Sequence, residues 1–354
     1  MQLRPAEQGD ADAWQSLLEG VDTGDFLHDW QWAPVATFDG QPQRRFVLAA
    51  DDGRPHAIVA AQVRRLALGR SFWYVPHGPV MDYAAPFAAS AFRALVEGLH
   101  AAARADRALA VRLEPRVEEG SPALAILDAA GLRRVPGHLQ VSHTRIVELA
   151  TDEQMLAGLD KDTRYSIRRA ERDGVVVTTS GEAADLAAID ALYDLSAVTQ
   201  QRAGFPLRPR ERFRLAWSGL AGAGRAWIMQ ARHADRLLAS AMLLREGGQS
   251  FYFLAGSLRE QPGERKLFAS HALQWALMRH ARDLGAKRHD LWGIAPPDAG
   301  PDHPWAGVGL FKKGFGGRMV AWAGPWDLVV DPLGYRLRGA SQPLVGLLRR
   351  FGRQ

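Results

Sequence analysis

Residues 225–257 read "RAWIMQARHADRLLASAMLLREGGQSFYFLAGS". Three apolar runs are separated by the short polar stretches "HADR" and "EGGQ", which close hairpins, so the segment predicts three antiparallel strands. Reading outward, "KLFASHALQWALMRHARDLG" (266–285) has helical periodicity and "RHDLWGI" (288–294) is strand-like. Upstream stand a predicted helix over 152–174, the strand "VVVTTS" (175–180) and a long helix over 184–202. The first half has the same grammar. "RRFVLAADDGRPHAIVAAQVRRLALGRSFWYVP" (44–76) reads as a meander, followed by a helix over 85–107, the strand "ALAVRLEP" (108–115) and a helix over 121–131. Two passes through hairpins, helix and strand point to a duplicated α+β unit, with domains at 1–149 and 150–316. The segment 317–354 is expected to return a strand, within "MVAWAGPWDLVVDP" (319–332), to the first domain and to end in a basic tail.

Composition narrows the chemistry. Of 354 residues, 47% are apolar and 23% charged, the balance of a globular protein, and no apolar run reaches the roughly 20 residues that span a bilayer. The N-terminus lacks a signal-peptide pattern, and without cysteine there is neither a disulfide nor a thiolate nucleophile, so a cytoplasmic protein is expected. Motifs for zinc hydrolysis, serine hydrolysis and nucleotide loops are absent, and neither a metal nor a cofactor is expected. A formal charge of +5 favours anionic partners. Five arginines and no acid follow Gly334, which suits either a solvated surface helix or contact with RNA or the cytoplasmic face of a membrane.

The unusual residue is lysine. Only five of the 44 basic residues are lysines, and two of them are adjacent in "GVGLFKKGFGG" (307–317). Phe311 and Phe315 are four apart, on one helical face, so Lys312 is flanked by apolar surface while Lys313 turns to solvent. A compact ammonium there could stand over a reacting carbonyl more readily than a guanidinium fork. Three other stretches carry candidates: the Pro/Gly connection containing Gly78, the helix bearing Arg164 and Arg168, and "TQQRAGFPLRPRERF" (199–213), read as a helix end and an arginine-rich loop. Each fits a scaffold role as well as a binding one. In "SFYFLAGS" (250–257), alternation turns Tyr252 away from Phe251 and Phe253.

In this order the motifs resemble the FemABX family of aminoacyl-tRNA-dependent transferases, which build the interpeptide bridge of peptidoglycan. The matching residues are "YVPHGPVMD" (74–82), "VRLEP" (111–115), "TRYSIRRAERDGV" (163–175), "DLWGI" (290–294) and "GLFKKGFGG" (309–317). The resemblance implies two tandem GNAT-like (acyltransferase) domains without a coiled-coil arm. It also implies an aminoacyl-tRNA donor of glycine, alanine or serine, and an acceptor amine on UDP-MurNAc-pentapeptide or a lipid-linked precursor. Lys312 aligns with the family's lysine as oxyanion stabiliser, with Phe311 beside it. Arg202, Tyr252, His77, Gly78, Glu114, Arg164 and Arg168 are the implied substrate contacts, in a protein acting as a monomer. His77 and Glu114 replace the family's arginine and aspartate. The competing readings are an N-acyltransferase using acyl-CoA or another carrier, and a non-catalytic RNA- or membrane-binding protein.

Overall fold

Ala57, Val59, Ala61 and Val63 alternate along one strand, and all four are buried on the face where the first sheet meets its helix. The computed structural model describes residues 1–203 (for Arg202 and Ala203 the backbone only), 207–259, 264–300, 302–303 and 305–338. The chain forms two units, one of residues 1–17, 40–140 and 323 onward, the other of residues 18–39 and 141–322.

The elements run β1 (Gln2–Pro5), α1 (Ala11–Gly20), α2 (Ala33–Phe38), β2 (Gln43–Ala49), β3 (Pro55–Arg65), β4 (Ser71–His77), β5 (Val80–Met81), α3 (Ala88–Ala105), β6 (Ala108–Pro115), α4 (Leu124–Ala129) and β7 (Arg133–Arg134). In the first unit β1 to β4 pair antiparallel, and α3 then carries the chain to β6, which lies parallel to β4. Ala88, Ala91, Phe92, Leu95, Leu99 and Ala103 form the buried stripe of α3, at the spacing of one helical face, and pack on Trp73 and Val75.

The second unit continues through β8 (His143–Glu148), α5 (Asp152–Gly158), α6 (Lys161–Arg172), β9 (Val175–Ser180), α7 (Leu186–Ala203), α8 (Arg210–Gly222), β10 (Ala226–His233), β11 (Arg236–Glu246), β12 (Gln249–Ser257), α9 (Ala269–Asp283), β13 (Arg288–Gly293), α10 (Ala306–Lys313) and β14 (Arg318–Ala321). Its sheet runs β14-β8-β13-β12-β11-β10-β9. The hairpins β10–β11–β12, the helix α9 and the parallel strand β13 repeat the plan of the first unit. One sheet face packs Ile228, Met242, Leu244 and Phe251 against Ile189, Leu192, Trp217 and Leu220 of α7 and α8. On the other, Ala241 and Leu243 meet Leu273 and Leu277 of α9. Finally β15 (Trp326–Val329) pairs with β6, returning to the first unit as the sequence implied.

Several expectations are corrected. β8 falls before residue 150 yet belongs to the second unit, because it pairs with β13 on one side and β14 on the other. Residues 18–39 belong there too; Gln249 Nε2 donates to Asp22 O at 2.7 Å, and Arg225 Nη2 to Asp29 at 2.9 Å. The helix expected over 152–174 is two helices. Leu159 and Asp160 are extended, and Arg164 Nη1 donates to the Leu156 and Leu159 carbonyls at the end of α5. The arginine-rich stretch after residue 207 is not all loop: α8 starts behind Pro209 and buries Phe213, Ala216, Trp217 and Leu220.

A polar network lies inside this unit. Gln274 Nε2 donates to His289 Nε2 at 2.9 Å, so Nδ1 carries the proton and donates to Ser250 Oγ at 2.8 Å; Ser250 in turn donates to Arg288 O at 3.1 Å. Burial lowers the His289 pKa from 6.5 to about 3. The fold holds this imidazole neutral, so its contribution is complete above pH 6.5 and is lost progressively as pH falls toward 3. Urea unfolding is therefore expected to show stability declining below pH 6.5 by up to about 1.4 kcal/mol per pH unit from this group. His289→Gln should flatten that slope.

Candidate active site

In the first unit β4 and β6 stay paired from Ser71 to His77 and Pro115. In the second, the corresponding strands β12 and β13 pair over only Gln249 to Phe251 and Arg288 to Asp290. Beyond that point both deform. Phe253 of β12 is the extra residue of a bulge against β11, and Trp292 of β13 adopts φ +62°, in the left-handed region that side chains avoid. Asp290 holds this bend: its Oδ1 accepts from the Trp292 amide at 2.7 Å and also from Thr144 Oγ1.

The parted strands leave a cavity of about 480 Å³, within the range of ligand clefts, roughly 300–1,000 Å³. Tyr252, Phe253, Trp292 and Phe311 supply aromatic wall, and Thr199, Ser257 and Ser270 supply hydroxyls. Arg259 and Lys312 are its cations, and no carboxylate or histidine is among the described residues lining it. Gly256 lets α7 come close, since a Cβ there would lie 2.3 Å from Leu195 C and Ser196 N. A second cavity, of about 430 Å³, shares Ser257, Arg259, Ser270 and Phe311 and continues past Arg236, Arg265 and Lys266 to the start of α9.

Lys312 is 5% exposed, whereas Lys313 is exposed, as the phenylalanine spacing predicted. Phe311 and Phe315 meet edge to face at 5.1 Å, and His271 packs against both. Lys312 Nζ donates to Gly293 O at 2.7 Å and sits 5.9 Å from the centre of the Tyr252 ring. Burial lowers its pKa from 10.5 to about 7, against the opposing pull of Asp290. Near neutrality this side chain therefore divides between ammonium and free amine. Burial also raises the Tyr252 pKa, leaving its hydroxyl a neutral donor.

Tyr252, Phe311 and Lys312 are thus brought together. The Arg202 side chain lies outside the described residues; its backbone ends α7, one turn after Thr199 of the cavity. Arg168 is exposed on α6. Arg164, expected on substrate, directs its guanidinium to the end of α5, because two consecutive short helices leave carbonyls that need a donor. Glu114, His77 and Gly78 belong to the first unit. The Glu114 carboxylate accepts from Tyr74 Oη at 2.6 Å, Leu139 N at 3.1 Å and Gln140 N at 3.2 Å. His77 is buried at the end of β4 with φ +48°. Asp290, Trp292, Thr199, Ser257, Ser270 and Arg259 were not assigned from the sequence. "DLWGI" carried the only signal for the first two.

A model of the acetyltransferase (GNAT) domain matches residues 157–303. The lipid II:glycine glycyltransferase of Staphylococcus saprophyticus is 23% identical over 92% of this chain and 93% of its own length. That of Staphylococcus aureus is 22% identical over 93% of both. The crystal structure of FemX superposes with a TM-score of 0.84 at 20% identity, covering 95% of this chain and 99% of that one. Two acetyltransferase-like units in tandem, the second parted around a buried lysine, define an acyltransferase of the tandem GNAT-like class. Within it, the chain is similar over more than nine-tenths of its length to the staphylococcal glycyltransferases and to FemX.

The Asp290 carboxylate both shapes the bend and favours the ammonium form of Lys312. Asp290→Asn is expected to move the Lys312 titration further below 7. With five lysines in the chain, an NMR titration of labelled lysine side chains can read the change.

Proposed function

We propose that this protein transfers glycine, or another small amino acid such as alanine or serine, from an aminoacyl-tRNA ester to the side-chain amine of the diamino acid in a peptidoglycan precursor. The observation that carries the reading is the buried Lys312 in the open wedge between β12 and β13. The lipid-linked acceptor is favoured over the nucleotide-linked one by the substrate named for the staphylococcal relatives.

The chemistry follows from the group present. The acceptor nitrogen attacks the ester carbonyl, a C–N bond forms, and negative charge builds on the carbonyl oxygen. The Lys312 ammonium, already freed from water and fixed on Gly293 O, meets that charge without reorganising. Collapse breaks the bond to the ribose oxygen, which leaves as the 3′-hydroxyl with one proton, while the nitrogen gives up its own proton. With no acid or histidine on the described wall, the attacking species is the neutral fraction of the acceptor amine and its proton passes to water. Arg259 and the cations of the second cavity suit a donor phosphate, and the aromatic walls suit a terminal base. Acyl-CoA transfer is the second reading, favoured by the GNAT match and by the same cations; turnover of acetyl-CoA without tRNA would select it.

Removing one such charge typically lowers the rate by about 100- to 1,000-fold. Lys312→Ala and Lys312→Met are both expected to lose transfer by that factor, measured by mass spectrometry of the precursor, while unfolding stays cooperative; near-normal transfer would remove the assignment. The pH profile separates two roles for this residue. An acceptor amine titrating near pH ~10.4 becomes more reactive as pH rises, while the ammonium is lost above about 7. kcat/KM should therefore climb about tenfold per pH unit below the Lys312 pKa and level off above it. A general-base lysine would give a continuing climb.

A further inference from the structure

The turn between β3 and β4 carries a residue the backbone does not favour. Leu68 has φ +58°, a conformation that suits glycine or asparagine, and its side chain is 89% exposed. A leucine kept both strained and wet at a hairpin tip is unexplained by the core of its unit. Arg64 and Arg65 precede it and are exposed, and Arg107 Nη1 lies beside the turn, 3.5 Å from where a Cβ on Gly69 would stand.

The C-terminal helix adjoins this tip. Arg70 closes the turn by pairing with Asp331, whose Oδ1 accepts from the Gly334 amide at 3.1 Å as the helix over 332–338 begins. Farther along that helix, Arg338 lies over the Phe72 ring at 4.0 Å. Leu333 and Leu337, four apart and so on one side, are 70% and 64% exposed. The neighbouring acids are engaged: Asp106 pairs with Arg44 and Arg65, and Asp331 with Arg70. Arg64, Arg107 and Arg336 form no ion pair among the described residues. The remaining sequence, 339–354, adds Leu344, Leu347, Leu348 and Phe351 with three more arginines and no acid.

We propose that the β3–β4 tip and the helix over 332–338 form a docking face for an anionic lipid bilayer, with Leu68, Leu333 and Leu337 entering the headgroup boundary and Arg64, Arg107 and Arg336 meeting lipid phosphates. Arginines alone would serve RNA equally well, but leucines gain nothing from a phosphate backbone and gain burial in acyl chains. The inference does not depend on the transferase reading, since vesicle binding is read without any transfer.

Sedimentation of the full chain with vesicles of phosphatidylcholine, with and without phosphatidylglycerol, tests it. The unaltered protein is expected to bind only the anionic vesicles, more weakly as salt rises. The triple variant L68G/L333S/L337S and the double variant R64S/R107S should each bind at least about tenfold more weakly, with circular dichroism confirming that both remain folded. Glycine fits the backbone at position 68, so that change relieves strain. Three results would each overturn the proposal: no vesicle binding by the unaltered chain, undiminished binding by either variant, or loss in the arginine variant of binding to a short RNA in place of vesicles.

Discussion

A single charge-assisted hydrogen bond, Lys312 Nζ to Gly293 O, organises the cavity of the second unit. An ammonium removed from water is costly unless a fixed dipole replaces its hydration, and here the dipole is a carbonyl turned inward by a bend in β13. That bend depends on Trp292 holding φ +62° and on Asp290 accepting from its amide. The chain of dependence runs from a carboxylate to a backbone turn to a carbonyl to a lysine. The charge faces a cavity and not solvent because Phe311 and Phe315, on either side of it in sequence, seat α10 against His271.

The same plan built twice gives two different results. Each unit passes through antiparallel hairpins and a helix to a parallel strand. In the first, β4 and β6 remain zipped to His77 and Pro115, and the Glu114 carboxylate accepts from Tyr74 and two backbone amides. In the second, the parallel pair separates after Phe251 and Asp290, and the wedge becomes a ligand-sized cavity. A bulge in one strand and a left-handed residue in the other account for the difference. Both are local departures from regular strand geometry, and such departures gather where a protein binds or reacts.

Much of the architecture was legible because it follows from periodicity. The duplicated units, the β6 strand and the helix over α9 all stand where apolar spacing puts them, and Lys312 was conspicuous through the scarcity of lysine and the phenylalanines around it. What stayed hidden depended on partners distant in sequence. α8 begins among arginines whose charge reads as loop, although Phe213, Ala216, Trp217 and Leu220 keep helical spacing. Nor does residue type reveal that the amides of Leu139 and Gln140 donate to Glu114. Nothing in "DLWGI" announces a positive φ at Trp292, so the opening of the wedge, and with it Thr199, Ser257 and Ser270, could not be read from residue types.

The most direct test of the central claim is the affinity of a tetrahedral phosphonate analogue of the aminolysis intermediate, singly charged throughout the range, measured by calorimetry on either side of the Lys312 pKa of about 7. If the buried ammonium is what meets the developing oxyanion, the analogue binds tightly below that pH and loses affinity above it, in step with the lysine's titration. Equal affinity on both sides would contradict the account.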